Sequence, residues 1–399
     1  MKCKKCSSLV QERASGPGNH PMIGLYELPR PSFDSPLVPL LFEIERLRAD
    51  IGTGTTPPEV YAELHQLFDT VMSVISARIE GNHTTVYAAV ETMSQTPLDG
   101  RDEQFHEIAN IVGAVRFLDT LDPTQPLTHS LIRDLHSRTV GGLTREGDPT
   151  PGDYRRQDVA ITGSDHEPPS WVTVHPEMSA LLDFANEARP LHEQMMQIAL
   201  AHHRFVWIHP FRNGNGRVAR LFTYAMLRTR IFATRGFSAL NPTAVFGNDR
   251  SAYIAALEAA DSLAADDTTA WMTFFARGIR DDLARLIQLQ DHQFVITALV
   301  GPALSQLVAD GVLGVADERA LRIILEKGVV KAGDLESAIP GSASQRSRAI
   351  RALLERGLLN QADEGPRFYR LSLSRGPLAS RLIRRLNAAG LLPKILEND

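Results

Sequence analysis

Twelve consecutive residues, His209-Pro210-Phe211-Arg212-Asn213-Gly214-Asn215-Gly216-Arg217-Val218-Ala219-Arg220, bring a titratable ring, two glycines and several basic side chains into one short stretch. An imidazole titrates near neutrality, so His209 is the natural general base. Gly214 and Gly216 permit backbone angles that other residues resist, and the turn between them can aim several N–H groups at one point. An apolar helical pattern follows at Val218, Leu221, Phe222, Ala225 and Met226. The turn therefore lies at a helix N-terminus, where free N–H groups and the helix dipole favour phosphate. Arg217 and Arg220 are three apart and project from one side. Their forked donors pair with phosphate oxygens. Such residues suit proton removal beside a bound phosphate chain.

The elements that must position this stretch read as mainly helical. Leu191 to Ile208 feeds it, with Met195, Ala199, His202 and Val206 at helical spacing. His202 has no second ligand pair at metal spacing, so it reads as a buried structural histidine. Upstream, helical patterning runs from Leu37 to Leu47. After a Gly/Pro break, a second helix begins at Pro58, carries Val60, Leu64, Leu67, Val71, Val74 and Ile75, and stops near Gly81-Asn82. Ser76 and Glu80 share a face at its end. A carboxylate there opposes the helix dipole and calls for a cationic partner. Glu103–Leu121 and Leu131–Val140 are further helices, the latter capped by Thr128. Residues 149–174 change character: Val159-Ala160-Ile161-Thr162 and Trp171-Val172-Thr173-Val174 predict a hairpin around Gly163 to His166. Arg250–Ala260 and Trp271–Ile287 predict helices, and Phe294–Ala309 a buried helix pair broken at Gly301-Pro302. Residues 317–373 predict three helices and a hairpin around Asp363-Glu364-Gly365. A last amphipathic helix covers 378–396.

The stretch 209–220 resembles the signature of the Fic family, His-Pro-Phe-x-Asp/Glu-Gly-Asn-Gly-Arg-x-x-Arg, with Asn213 where that pattern has a carboxylate. Ser76 to Asn82 resembles the family's inhibitory motif, which implies that Glu80 reaches Arg220 and fills the place of the ATP γ-phosphate. Gly152-Asp153-Tyr154-Arg155 and the hairpin after it resemble the family's flap. Val159, Ala160, Ile161 and Thr162 would then hold a target segment by strand addition. Tyr253 resembles a tyrosine on the helix that closes the core, where it lines the base pocket or simply packs.

The resemblance covers residues 60–290. It implies a mainly α fold, a Fic/Fido helical core with a short β-hairpin flap, and the three helices and hairpin over 317–373 separately resemble a C-terminal winged helix-turn-helix. The organisation expected is an extended arm over 1–35, a helical region with the inhibitory helix over 36–100, the Fic core over 101–290, connecting helices over 291–316, the winged unit over 317–373 and a final helix over 374–399.

The activity implied is AMP transfer from ATP, with Mg²⁺ or Mn²⁺, to a Ser, Thr or Tyr hydroxyl of a protein, itself included. His209 takes the proton, and Arg212, Asn213, Gly214, Asn215, Gly216, Arg217 and Arg220 bind the nucleotide. Asn213, the metal-binding position, keeps an oxygen but lacks the charge that a hard dication prefers. Slow transfer, a different reaction, or nucleotide binding without turnover would each follow. Two rivals stand: a nucleotide-sensing regulator that binds DNA through the winged unit, and an enzyme that removes AMP with Glu80 orienting water.

Composition sets outer bounds. At 399 residues, 43% hydrophobic and 22% charged, the chain suits a globular protein of two or three domains. A net charge of -5 argues against an overall nucleic-acid-coating surface but leaves room for a basic face. Cys3 and Cys6 form one CxxC, short of the four ligands of a structural zinc site. No secretory signal or membrane span is expected, which points to a cytoplasmic protein, and a homodimer is compatible with the sequence.

Overall fold

The computed structural model describes residues 24–94, 102–230, 245–393 and 396. The expected arm over 1–35 therefore lies mostly outside the described residues. Helix α1 (Leu37–Asp50) packs on α11 (Ala265–Gln288). Helix α2 (Pro58–Ile79) starts with Pro58 in its first turn, where a missing N–H costs nothing. It is buried on nearly every side, beyond the stripe that its periodicity predicts, because α3 (Val86–Ser94), α4 (Glu103–Thr120), α8 (Asn215–Arg230) and the short α9 (Val245–Asn248) all pack against it. Gly81, at φ +100°, turns the chain away after α2.

Helix α5 (His129–Val140) begins where Thr128 accepts from the Leu131 amide at 3.2 Å. Helices α6 (Val174–Asn186), α7 (Leu191–Ile208), α8 and α10 (Arg250–Ala260) complete the body around the twelve-residue stretch. Trp271 on α11 is buried, and its indole donates to the Ala199 carbonyl of α7 at 2.7 Å.

The expected hairpin over 159–174 is absent. Val159 to Thr162 lie in irregular chain, and Trp171–Thr173 is a 3-10 turn leading into α6. Pro168-Pro169 remove two ladder donors. The Asp158 carboxylate then takes the Trp171 amide at 2.7 Å and the Ser170 hydroxyl at 3.2 Å, closing a loop instead of a sheet. The β-branched residues have no sheet face to pack on, so their strand preference is overridden.

The expected helix pair near Phe294 is one run, α12 (His292–Ala309), with a π segment over Val295–Val300. A proline inside a helix lacks an N–H and crowds the preceding turn. The widened turns just before Gly301-Pro302 absorb that without a break. The run is long and apolar enough to cross a membrane, and 39% of it is buried in the protein, much of it against α15 (Gly376–Ala388).

The C-terminal unit comprises α13 (Val315–Lys327), β1 (Val329–Lys331), a 3-10 turn over Ala332–Leu335, α14 (Ala343–Glu355), β2 (Leu359–Ala362) and β3 (Gly365–Leu371). The second expected helix is only that 3-10 turn. The sheet is antiparallel in the order β1-β3-β2, with Tyr369 opposite both Val330 and Gln361.

Candidate active site

His209 caps the C-terminus of α7 in the left-handed conformation, φ 50°, unusual for a residue with a side chain. Arg155 fixes it there. The Arg155 Nε donates to the His209 carbonyl at 2.9 Å, its backbone N–H to the Pro210 carbonyl at 2.9 Å, and its outer nitrogens to the carbonyls of Gln157 and Pro169. One arginine thus ties the loop over 157–170 to the base. Burial pushes the His209 imidazole down to about 4, opposed by the Val206 carbonyl and reinforced by Arg155 and His166. At neutral pH the ring is uncharged and able to accept a proton.

Phe211 is fully buried and stacks on His136, ring centroids 3.7 Å apart and 4° from parallel. The Asn215 side chain accepts from the Phe211 amide and donates to the Phe211 carbonyl, both at 2.9 Å. Its amide thereby braces the loop. Gly214 sits at φ +76°, and a Cβ there would lie 2.7 Å from Val140 Cγ1. Arg212 is exposed at the edge of the turn.

Asn213 is built into this turn as an amide. Its Nδ2 donates to the Gly147 carbonyl at 3.2 Å, and its Oδ1 accepts from the Gly214 amide at 2.7 Å and from Arg217 at 3.3 Å. That oxygen is neutral, doubly engaged and next to a guanidinium, so the residues do not fit a metal ion held at Asn213. Asp148, close by, accepts the Asn213 amide at 3.4 Å and both the amide and hydroxyl of Thr150.

The two signature arginines have different fates. Arg217 is 1% exposed and donates to Glu107 Oε1 at 2.7 Å and to the Glu146 carbonyl at 3.0 Å. Its Nε is buried and has no hydrogen-bond partner among the described residues. Arg220 donates to the Ser76 hydroxyl at 2.8 Å, the Ser76 carbonyl at 2.9 Å and Glu80 Oε1 at 2.7 Å. Desolvation raises the Glu80 carboxyl, but Arg220, with Arg217 and Arg250 behind it, holds it below its ordinary value. The Glu80 carboxylate stands directly over Gly216, so close that a Cβ there would collide with Oε1. The α2 terminus is pinned again by Arg250, whose Nε donates to the Ile79 carbonyl at 2.7 Å.

Tyr253 is buried. Its hydroxyl pairs with His202 Nε2 at 2.9 Å, while His202 Nδ1 pairs with the Thr223 hydroxyl at 2.7 Å. This agrees with the structural reading of His202, and of the two roles weighed for Tyr253 it favours packing. Among the described residues, His65, Asp69 and Asp119 group at metal-like spacing. The His65 Nδ1 lies 3.5 Å from Asp69 and Nε2 3.9 Å from Asp119, and the ring pairs with both carboxylates.

Sequence reasoning missed Glu107, His136, Asp148, Arg155 and Arg250. Arg155 left a trace as the last residue of Gly152-Asp153-Tyr154-Arg155, and Arg250 as the first residue of the expected helix Arg250–Ala260.

Residues 126–227 match the Fic/DOC family. The chain carries a Fic domain. A protein adenylyltransferase Fic from Nematostella vectensis is 33% identical over 161 residues, 38% of this chain and 36% of that protein. One from Drosophila willistoni is 32% identical over 159 residues, covering 30% of its length. The chain thus spans about a third of the curated relatives that it matches. The fold of the Fic domain and its surroundings recurs in a Fic family protein from Desulfovibrio desulfuricans G20, with TM-score 0.56 and 20% identity over 87% of this chain and 98% of that one. Fic-1 of C. elegans gives a TM-score of 0.50 at 20% identity, over 63% and 72% of the two chains.

Proposed function

We propose that this protein transfers AMP from ATP to a hydroxyl side chain of a protein and that Glu80 holds the reaction off. The observation that carries the reading is the 2.7 Å pair between Glu80 and Arg220, set over Gly216 at the start of α8. A phosphate chain bound by the first amides of α8 meets that carboxylate head on. Those amides have no carbonyl of their own helix to pair with.

In the released state Arg220 exchanges the Glu80 carboxylate for the terminal phosphates of ATP. His209, neutral, takes the proton of the incoming hydroxyl. The oxygen bonds to the α-phosphorus as the bond to the bridging oxygen of the β-phosphate breaks, and pyrophosphate leaves. The α8 amides stabilise charge on the α-phosphoryl oxygens. Arg217, fastened by Glu107, supports the turn through Asn213 and adds positive field.

The test is incubation with α-labelled ATP followed by intact mass. Glu80→Gly should label itself or added proteins, the wild type weakly, and Glu80→Gly with His209→Ala not at all. Label in the His209→Ala background would remove the base from the mechanism. A second reading is favoured by Arg348 and Arg351, which lie exposed on α14. In a winged-helix arrangement they face duplex DNA, and salt-dependent binding of a DNA fragment without protein labelling would favour a regulator.

A further inference from the structure

Glu63, in the second turn of α2, is 1% exposed and reaches into the C-terminal unit. Its Oε1 accepts from Asn360 Nδ2 at 3.0 Å and lies 3.4 Å from Arg370 Nε. Its Oε2 accepts from the Leu373 amide at 3.0 Å, the Ser374 amide at 3.4 Å and the Ser374 hydroxyl at 3.0 Å. All of these donors belong to β2, β3 or the chain just after β3. A buried carboxylate without such donors is costly, so this one is satisfied only while the C-terminal unit sits on α2 in this register.

The same helix delivers Ser76 and Glu80 to Arg220. The two ends are about five turns apart, about 25 Å. No glycine or proline interrupts residues 59–80. Kinks in helices need such residues, a π-bulge or an inserted group, so α2 acts as a rod. Its far end carries hydrogen bonds of 2.7 to 2.9 Å, which tolerate only a few tenths of an ångström of slip.

We propose that Glu63 is a positioning residue for the Glu80–Arg220 pair. Docking of the C-terminal unit on Glu63 sets the axial place of α2 and keeps Glu80 over Gly216. The C-terminal unit is then the control element of the Fic site, and whatever displaces it releases Arg220. This rests on the reading of Glu80 as the inhibitory group.

The experiment compares wild type, Glu63→Gln, Glu80→Gly and the double variant, by calorimetric ATP binding and by hydrogen exchange of residues 77–82. Glu63→Gln should bind ATP about fivefold or more tightly than wild type and exchange faster at 77–82. The double variant should bind ATP no more tightly than Glu80→Gly. Faster exchange confined to 359–374, with ATP affinity unchanged, overturns the proposal. So does an equal gain in both backgrounds, because Glu63 would then act without Glu80. If Glu80→Gly itself leaves ATP affinity unchanged, the inhibitory reading fails, and exchange at 77–82 in Glu63→Gln still decides whether the two ends of α2 are coupled. Should Glu63→Gln not fold, Ser374→Ala removes one side-chain donor and carries the same expectations at smaller size.

Discussion

Glu107 holds Arg217 with one carboxylate oxygen at 2.7 Å and Asn82 with the other at 2.8 Å. A single side chain thereby joins the signature to the turn that ends α2. Glu107 and Arg217 are both almost fully buried. Removing one partner of a buried ion pair strands the other, at about 3–5 kcal/mol. Glu107→Ala should lose that much in denaturant unfolding. Glu107→Ala combined with Arg217→Leu should recover part of it, because no uncompensated charge remains. A double variant as unstable as the sum of the singles would show that the two residues act independently.

Asn213→Asp restores the carboxylate of the family pattern but removes the donor that Asn213 gives to Gly147. It also sets an anionic oxygen against that carbonyl. A lost buried hydrogen bond with an unsatisfied acceptor costs about 1–3 kcal/mol, so the variant should melt lower in chelator. Mg²⁺ offers the new carboxylate a partner and should recover part of the loss. The wild type should show no such Mg²⁺-dependent shift in melting temperature. A wild-type shift as large as the variant's would mean that the native turn already holds the ion.

Gly216→Ala tests how closely Glu80 approaches. The added methyl collides with Glu80 Oε1 and comes within 3.2 Å of Arg220 Nη1. In the wild-type background it should destabilise the fold by about 1–3 kcal/mol, as overpacking does, and weaken the hold on Arg220. In a Glu80→Gly background the same substitution should cost much less. Equal costs in both would place the carboxylate elsewhere in solution.

The signature was legible because its parts are contiguous. A base, two glycines and an apolar helix in a row leave one arrangement, and the structure adopts it. Glu80 called for a cationic partner because a helix C-terminus disfavours a lone carboxylate, and the family resemblance pointed to Arg220 as that partner. Glu107 was invisible: one glutamate on a helix looks like any solvated charge until Arg217 and Asn82 arrive from distant parts of the chain. The flap was misread because alternation at Val159 to Thr162 outweighed Pro168-Pro169 and the side chain of Asp158. The bracing role of Asn215 was not legible, because bracing a loop and holding phosphate call for the same amide. Rod-like burial of α2 was likewise hidden, since its second face packs on elements far along the chain.

The two buried histidines beside the signature turn should make a destabilising contribution as pH falls below about 6.5. Burial pushes both His209 and His136 down to about 4, from an ordinary value of 6.5. A lowered histidine leaves the unfolded chain holding more protons than the folded one between those values. Stability from these groups is therefore complete above about 6.5 and falls as pH drops toward 4. The depressed Glu80 carboxyl adds a further loss below its ordinary value of 4.5. These histidines should thus pull the melting temperature down from pH 7 to pH 5, against the opposite pull of Asp282 and Asp69, whose carboxyls burial pushes up to about 8 and about 6. His136→Gln keeps a donor for the Asn213 carbonyl and an acceptor for the Gly152 amide, the two backbone bonds that His136 makes. Its melting temperature should fall less steeply over that interval. Activity should behave otherwise. In Glu80→Gly the base stays neutral through pH 5, so AMP transfer should show no inflection near 6.5 while the fold holds. An acid limb centred near 6.5 would mean that His209 sits in a wetter site than its burial implies, or that another group carries the proton.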